Sequence, residues 1–383
     1  MGTRESRGQR TSPPRQLPIF DDAAAPAAEA VRLPLVGEQA DIRYLASAAR
    51  NVLNGPEVTG MGFWSINPYV GCAFGCAYCY ARFTHRYVME RVRDGFRLPA
   101  SGFQQAGSGE READGGVMPP WLAFERRIVV KLNAPEVLRQ TLAGMKAARG
   151  RERWRRLVAE TVVVGTATDP YQPAERRFRI TRGVLEALAE HPGLGVTIIT
   201  KSPLVTRDVD VLARIAAHGR MTVHVTITTI DRELARRIEP RAPTPEARLR
   251  AVARLREAGI DVGVNVMPIL PGITDTPDLL DALVRRVAEA GATHLGACAL
   301  RLQRAARERY LPFIEQEFPT LAARYRGAYG RSHQAGARYR EGLRAFVSRL
   351  CARHGVRFGY RDPEDEAPRV GTEPAPPQLV LGL

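Results

Sequence analysis

From about residue 128 to residue 300 the chain alternates short apolar runs with longer stretches of helical period, and this alternation restricts the fold more than any other feature. The runs 161–165, 196–201, 222–230, 261–270 and 293–300 are rich in Val, Ile and Thr, and helical patterns lie between them near 174–190, 205–217, 245–258 and 276–290. A strand that is apolar along its whole length has no face for water, so helices must cover both sides of the sheet it joins. Alternation of this kind builds a parallel α/β sheet, either open and doubly wound or curled into a barrel. An aromatic, β-branched segment over 62–70 supplies an earlier strand, making six strand–helix units from Ser65 to Leu300. One more strand is expected over 127–133, ahead of a helix opened by Pro135, and its place in the sheet is left open.

The flanks read differently. Residues 1–40 mix Pro, Ala, Arg and Ser without a period and predict a disordered basic head. Residues 41–61 place Ile42, Leu45, Ala46, Ala49, Val52 and Leu53 at helical spacing before Asn54-Gly55-Pro56, which predicts a helical lead-in. Within a core of 62–300, a helix is expected over 81–93 and a flexible Gly- and Ser-rich insertion over 94–120. Residues 301–360 predict a helical C-terminal extension broken near Pro319 and at 330–333, and 361–383 a disordered tail.

Gly71-Cys72-Ala73-Phe74-Gly75-Cys76-Ala77-Tyr78-Cys79 sets three cysteines within eight residues, with glycines that let the backbone fold round them. Thiolates gathered on one loop suit a soft metal or an iron–sulfur cluster. Structural zinc takes four closed ligands, so a triplet leaves one coordination position for chemistry. Zinc completed by His85, Cys298 or Cys351 is the alternative. The chain holds 5 cysteines in all, three of them in this loop, which shows no disulfide framework and points to the reducing cytoplasm. The first residues lack an apolar core of signal-peptide type and no run is long enough to span a bilayer, so secretion and membrane insertion are not expected.

The loop spacing, with aromatic Tyr78 before the third cysteine, resembles that of the radical S-adenosylmethionine (SAM) superfamily. Further motifs follow in order: Asn-Pro-Tyr-x-Gly-Cys, Lys-x-Asn-Ala-Pro-Glu, Gly-Thr-x-Thr-Asp-Pro-Tyr-Gln-Pro, Thr-Lys-Ser, Thr-Thr-x-Asp and Glu-Pro-x-Ala-Pro. Together they resemble the spore photoproduct lyase-like branch of that superfamily, over about residues 62–301. The resemblance implies a partial (βα)6 TIM-type barrel with a helical C-terminal cap. It also implies a [4Fe-4S] cluster on Cys72, Cys76 and Cys79, with SAM on the fourth iron, and a flavodoxin- or ferredoxin-type electron donor. Reduction would split SAM into methionine and a 5′-deoxyadenosyl radical.

Residues at strand C-termini share one face of a parallel barrel and line its site. By the resemblance, Lys201 binds the SAM carboxylate and Thr226 hydrogen-bonds the same group, whereas Lys201 could equally be a strand-end lysine extending its stem to water. Thr166, Thr168 and Asp169 occupy the segment that meets the SAM amino group or the substrate, with turn and helix capping as the other reading. Asp231 is expected to cap a helix, as is Thr244 before Pro245, while Glu239 and Arg241 contact substrate or each other and Arg248 packs or pairs on its helix. The lyase's own hydrogen-donor cysteine has no counterpart in Thr166-Ala167-Thr168, so thymine-dimer lyase activity is not expected. Cys298, in the last barrel strand, is the substitute hydrogen donor, or else a small core residue.

Lys and Arg number 56 against 41 Asp and Glu, a formal charge of +15, which invites a nucleic-acid partner. Solvated helix faces would account for the same arginines. Three functions stay open: a radical SAM enzyme acting on nucleic acid, one acting on a peptide or small molecule, and a non-catalytic metal-binding protein that binds nucleic acid.

Overall fold

A computed structural model describes residues 31–60, 62–84, 92–97, 119–149 and 151–360. Its strands are β1 (Val31–Gln39), β2 (Ile42–Ser47), β3 (Leu53–Asn54), β4 (Trp64–Ile66), β5 (Tyr69–Val70), β6 (Val92–Arg97), β7 (Arg127–Lys131), β8 (Thr161–Val164), β9 (Gly195–Thr200), β10 (Arg220–Thr226), β11 (Asp261–Ile269), β12 (His294–Ala299) and β13 (Arg357–Phe358). Six of them, β4 and β8 to β12, pair in parallel in chain order, as expected from the alternation. The sheet runs β13-β12-β11-β10-β9-β8-β4-β3 and does not close on itself, so the core is a partial barrel. Helices Ile180–Ala189, Val209–His218, Pro245–Glu257 and Pro277–Glu289 return the chain between strands. The strand interiors are almost wholly buried, with Val162, Val164, Ile198, Val223, Val225, Val262, Val264 and Leu295 between 0% and 1% exposed. At about 1.5–3 kcal/mol for each buried aliphatic side chain, this layer is the main source of the barrel's stability.

A second sheet, ordered β5-β7-β2-β1-β6, settles the place of the 127–133 strand: it lies between β2 and β5, outside the barrel. The sheet also overturns the helical lead-in expected over 41–61. β2 is buried on both faces, with Ile42 and Tyr44 in one apolar cluster and Leu45 in another. A strand covered on two sides reads as a continuous apolar run, which imitates helical spacing. Among the described residues of that stretch only Pro56–Thr59 is helical, and β1 takes up residues assigned to the disordered head.

Pro68, which has no N–H to give a ladder, divides the single strand expected over 62–70 into β4 of the barrel and β5 of the second sheet. The helix expected over 81–93 is described as Ala81–Thr84, and β6 pairs with β1 where the helix end and the insertion were expected. The remaining parts of the head, insertion and tail, and His85, lie outside the described residues. Helices Arg304–Glu317, Ala322–Tyr329 and Ala337–His354 form the expected C-terminal extension. Its first two helices share a core cluster with Phe74, Tyr78 and Phe124, so the extension packs against the cysteine loop over the barrel mouth. Among the described residues no helix is long and apolar enough to cross a membrane.

Candidate active site

The cysteine loop leaves β5 at Gly71 and is fixed by side chains from distant parts of the chain. The Gln172 carboxamide, fully buried, donates to Gly71 O and accepts from Ala73 N, each at 3.0 Å. Arg241 Nε donates to Ala73 O at 2.6 Å and Arg241 N to Phe74 O at 3.2 Å. Arg82 Nη2 donates to Cys76 O at 2.8 Å, and Ala77 N reaches Ile238 O at 2.9 Å. Gly75 has φ +65°, and a Cβ there would come within 2.9 Å of both Arg241 and Glu125. The loop therefore needs glycine for its turn and for the close approach of these charges.

A buried carboxylate, Glu239, organises the floor beside the loop. It accepts from Tyr78 Oη, from Thr228 Oγ1 at 3.0 Å and from Arg248, whose Nη1 also donates to Thr226 O at 3.0 Å. Burial works to raise the Glu239 pKa, but Arg248 and Lys201 outweigh it and hold the carboxyl below its usual range. The Lys201 ammonium stands 4.0 Å from Glu239 and 5.7 Å from the Tyr78 ring centroid. Burial opposes its charge, yet Cys76 and Glu239 keep its pKa raised. Arg248 thus pairs as the sequence suggests, but Glu239 and Arg241 do not meet: Arg241 instead binds Glu125 at 2.9 Å.

The strand-end residues divide into those already engaged and those left open. Asp169 Oδ1 accepts from Thr200 Oγ1 at 2.7 Å and Tyr171 N at 2.9 Å, and Oδ2 from Lys201 N at 2.6 Å. It ties the turn after β8 to the end of β9, while burial raises its pKa against these hydrogen bonds. Thr166 Oγ1 is shared with Ser65 Oγ at 3.0 Å and Asn67 Nδ2 at 2.9 Å, joining β4 to β8. Thr168 Oγ1 is buried and has no hydrogen-bond partner among the described residues. Gly165 makes this turn at φ +99°, where a Cβ would lie 2.6 Å from Ile199 O. Asp231 and Thr244 cap helices as expected, through Glu233 N and Leu234 N, and through Ala247 N.

These elements line an open pocket at the C-terminal ends of the barrel strands. Cys72, Cys76, Cys79, Tyr78, Thr166, Thr168, Asp169, Lys201 and Thr226 all border it, so every cofactor-binding and metal-ligating residue expected from the sequence comes to one place. Cys298 borders it too, and burial pushes its thiol pKa up to about 11. Cys351 instead lies on the buried face of helix Ala337–His354, in the core.

Two features escaped the sequence reading. Gln172 sits within a quoted motif but nothing local marks it as a clamp for a loop so far away. Tyr360, just past β13, has one hydroxyl proton, which faces two acceptors in the cavity wall, Asn265 Oδ1 at 3.1 Å and Met267 Sδ at 3.3 Å. Beneath it His224 and His294 meet Nε2 to Nε2 at 2.9 Å. Asp261 can only accept, from Thr293 Oγ1 at 2.7 Å, so Thr293 takes its own hydrogen bond from His294 Nδ1 at 2.9 Å and His224 supplies the shared proton.

The donor set tests what the cavity can hold. Among the described residues no three His, Cys, Asp or Glu side chains are gathered tightly enough for a single metal ion. The three cysteines of the loop all line the same pocket, and a thiolate triplet is a donor set suited to an iron–sulfur cluster. An ammonium beyond hydrogen-bond reach of its neighbour and an orphaned hydroxyl supply donors for a second, polar ligand beside them. The residues fit a cluster with a carboxylate-bearing companion.

Known proteins agree. The family model described as the radical SAM superfamily matches residues 125–283, which takes in the strand-end residues from Thr166 to Asn265 and leaves the cysteine loop outside. Uncharacterized protein Rv2578c of Mycobacterium tuberculosis is 33% identical over 363 residues, covering 92% of this chain and 94% of that protein. Uncharacterized protein MJ0683 of Methanocaldococcus jannaschii is 27% identical over 61% of this chain and 70% of its own. Among solved structures, a spore photoproduct lyase variant with bound AdoMet and dinucleoside spore photoproduct superposes with a TM-score of 0.56 at 17% identity, covering 86% of this chain and 87% of the lyase. That likeness is one of fold. Family match, barrel and cysteine-lined cavity coincide, and the chain belongs to the radical SAM superfamily, whose cofactors are a [4Fe-4S] cluster and SAM.

Proposed function

We propose that this radical SAM enzyme acts on nucleic acid, in the repair or modification of DNA or RNA. The observation that carries the reading is the meeting of Cys72, Cys76, Cys79 and Lys201 on the wall of one cavity. When bound there, the cluster and SAM supply reductive cleavage of the sulfonium to methionine and a 5′-deoxyadenosyl radical. The protein's own residues bind and orient. The cysteines hold the iron, Lys201 and Thr226 hold the SAM carboxylate, and Thr168 offers its unpartnered hydroxyl. Asp169, Thr166 and Tyr78 keep these groups in register through the hydrogen bonds described above.

Cys298 is assigned the return of a hydrogen atom to the substrate carbon radical, and the thiyl radical this leaves on Cys298 is restored to the thiol by one electron from the external flavodoxin- or ferredoxin-type donor and a proton. A thiol held at a pKa of about 11 keeps its S–H bond intact at neutral pH, which suits hydrogen-atom transfer better than nucleophilic attack. Two facts support nucleic acid as substrate: the charge of +15 and a fold shared with a lyase whose complex contains a dinucleoside. A flavodoxin- or ferredoxin-type donor in the cytoplasm completes the proposal.

The test is anaerobic reconstitution, reduction with SAM, and an assay for 5′-deoxyadenosine in wild type and Cys76→Ala. Product from wild type alone is expected. Binding of single- and double-stranded oligonucleotides should then weaken steeply with salt. Product that forms equally in Cys76→Ala would refute the cluster assignment, and salt-independent or absent oligonucleotide binding would refute the substrate class.

A further inference from the structure

Against the cysteine loop lies an uneven group of charges. Glu125, 5% exposed, is approached by Arg82 Nη2 at 2.5 Å, Arg241 Nη2 at 2.9 Å and Arg309 Nε at 3.7 Å. Further out, Asp41 lies 3.7 Å from Arg241 and 3.1 Å from Arg126. Among the described residues three guanidiniums thus surround one buried carboxylate, and including the outer pair leaves four against two. The side chain of Arg82 is fully buried and that of Arg309 is three-quarters buried at 25% exposure. Arg82 Nε and Arg309 Nε are buried without a hydrogen-bond partner among the described residues. Burial lowers the Arg309 pKa, and Arg82 and Arg241 add to the effect against Glu125.

Surplus positive charge held out of water is unfavourable unless a negative group offsets it. The peptide segment between these arginines and the cavity is the ligand loop itself, since Arg82 donates to Cys76 O and Arg241 to Ala73 O. A cluster carried on three thiolates is anionic, and gains one further negative charge when it is reduced. Hydrogen bonds and fixed charge around such a cluster set its potential.

We propose that Arg82, Arg241 and Arg309, balanced against Glu125, form a charge cage that favours the reduced cluster and so sets the potential at which the electron enters. Arg82 and Arg241 act through the loop they hold and Arg309 through Glu125, so all three are positioning residues rather than catalytic ones. This rests on the cluster assignment above. The balance predicts opposite signs for opposite charge changes, which a purely structural role would not produce.

The experiment is an EPR-monitored redox titration of the reconstituted full chain, without substrate, for wild type, Arg309→Gln, Arg309→Lys and Glu125→Gln. Arg309→Gln is expected to move the midpoint to more negative potential, Glu125→Gln to more positive potential, and Arg309→Lys to stay near wild type. Should one of the charge-removing variants not fold, the other carries the same test with its own sign. Midpoints equal to wild type, or shifts of one sign in both, overturn the inference. A wild-type chain that takes up no cluster overturns the underlying assignment and the inference with it.

Discussion

Glu239→Gln is the sharpest probe of the site. The substitution is nearly isosteric and removes one negative charge from a carboxylate whose side chain is wholly buried, facing Arg248 at 1% and Lys201 at 16% exposure. Tyr78 and Thr228 can still donate to the carboxamide oxygen, so the packing survives and the charge is what changes. Removing one partner of a buried ion pair costs about 3–5 kcal/mol, because the other charge is left uncompensated. Arg248 keeps the carbonyls of Pro243 at 2.9 Å and Thr226 at 3.0 Å, which places the expected loss near the lower end, about 3 kcal/mol. The urea midpoint of the apo chain should fall accordingly. SAM affinity should fall at least about tenfold, which is about 1.4 kcal/mol, since Thr226 and Lys201 both depend on this node. Adding Lys201→Met should restore part of the stability by relieving the like-charge pair, while leaving SAM binding weak. A loss below about 0.5 kcal/mol, within the range of an ordinary surface change, would show that Arg248 and Lys201 find other partners and that Glu239 does not organise the floor.

Two further outcomes are expected. Gly165→Ala forces a side chain into positive φ and to within 2.6 Å of the Ile199 carbonyl, so it should destabilise the fold by about 1–3 kcal/mol and displace Thr166 to Asp169, read as lower denaturant midpoint and weaker SAM binding. The His224 pKa is lowered to about 3, by burial first and His294 second, so neutral His224 contributes stability that is complete above its unfolded value near 6.5 and lost as pH falls towards 3. At pH 5 the loss is about 2 kcal/mol relative to pH 7, and His224→Leu should flatten that part of the stability curve; a variant that follows wild type between pH 7 and 5 would refute it.

What the sequence made legible follows from where each signal is stored. The barrel strands bury both faces and alternate with amphipathic helices, so β8 to β12 stand out from pattern alone. The three loop cysteines and Lys201 were legible because ligand spacing and strand-end position are local properties, and all four reach the cavity. The second sheet was not, since β2 is packed from two sides and its apolar positions satisfy a helical period as well as an extended one. Long-range pairings were hidden for a different reason. Gln172 with Gly71, Glu239 with Arg248 and Tyr78, and Glu125 with three arginines are relations across the fold, and in an arginine-rich chain every carboxylate has many candidate partners. Glu239 and Arg241 stand two residues apart yet serve different networks, because their side chains leave the loop in different directions.

The placement of Tyr360 has a consequence for how the protein is made. The loop cysteines are synthesised early, but the ring that supports Asn265 and Met267 arrives just past β13, after the whole C-terminal helix. A nascent chain released from the ribosome as far as β12 already carries the cysteine loop, while the tyrosine behind Asn265 and Met267 is still missing. Vectorial synthesis therefore separates the cysteine loop from the finished pocket wall in time, and truncation ahead of residue 357 would leave a chain that has its cysteines but lacks the tyrosine that braces Asn265 and Met267.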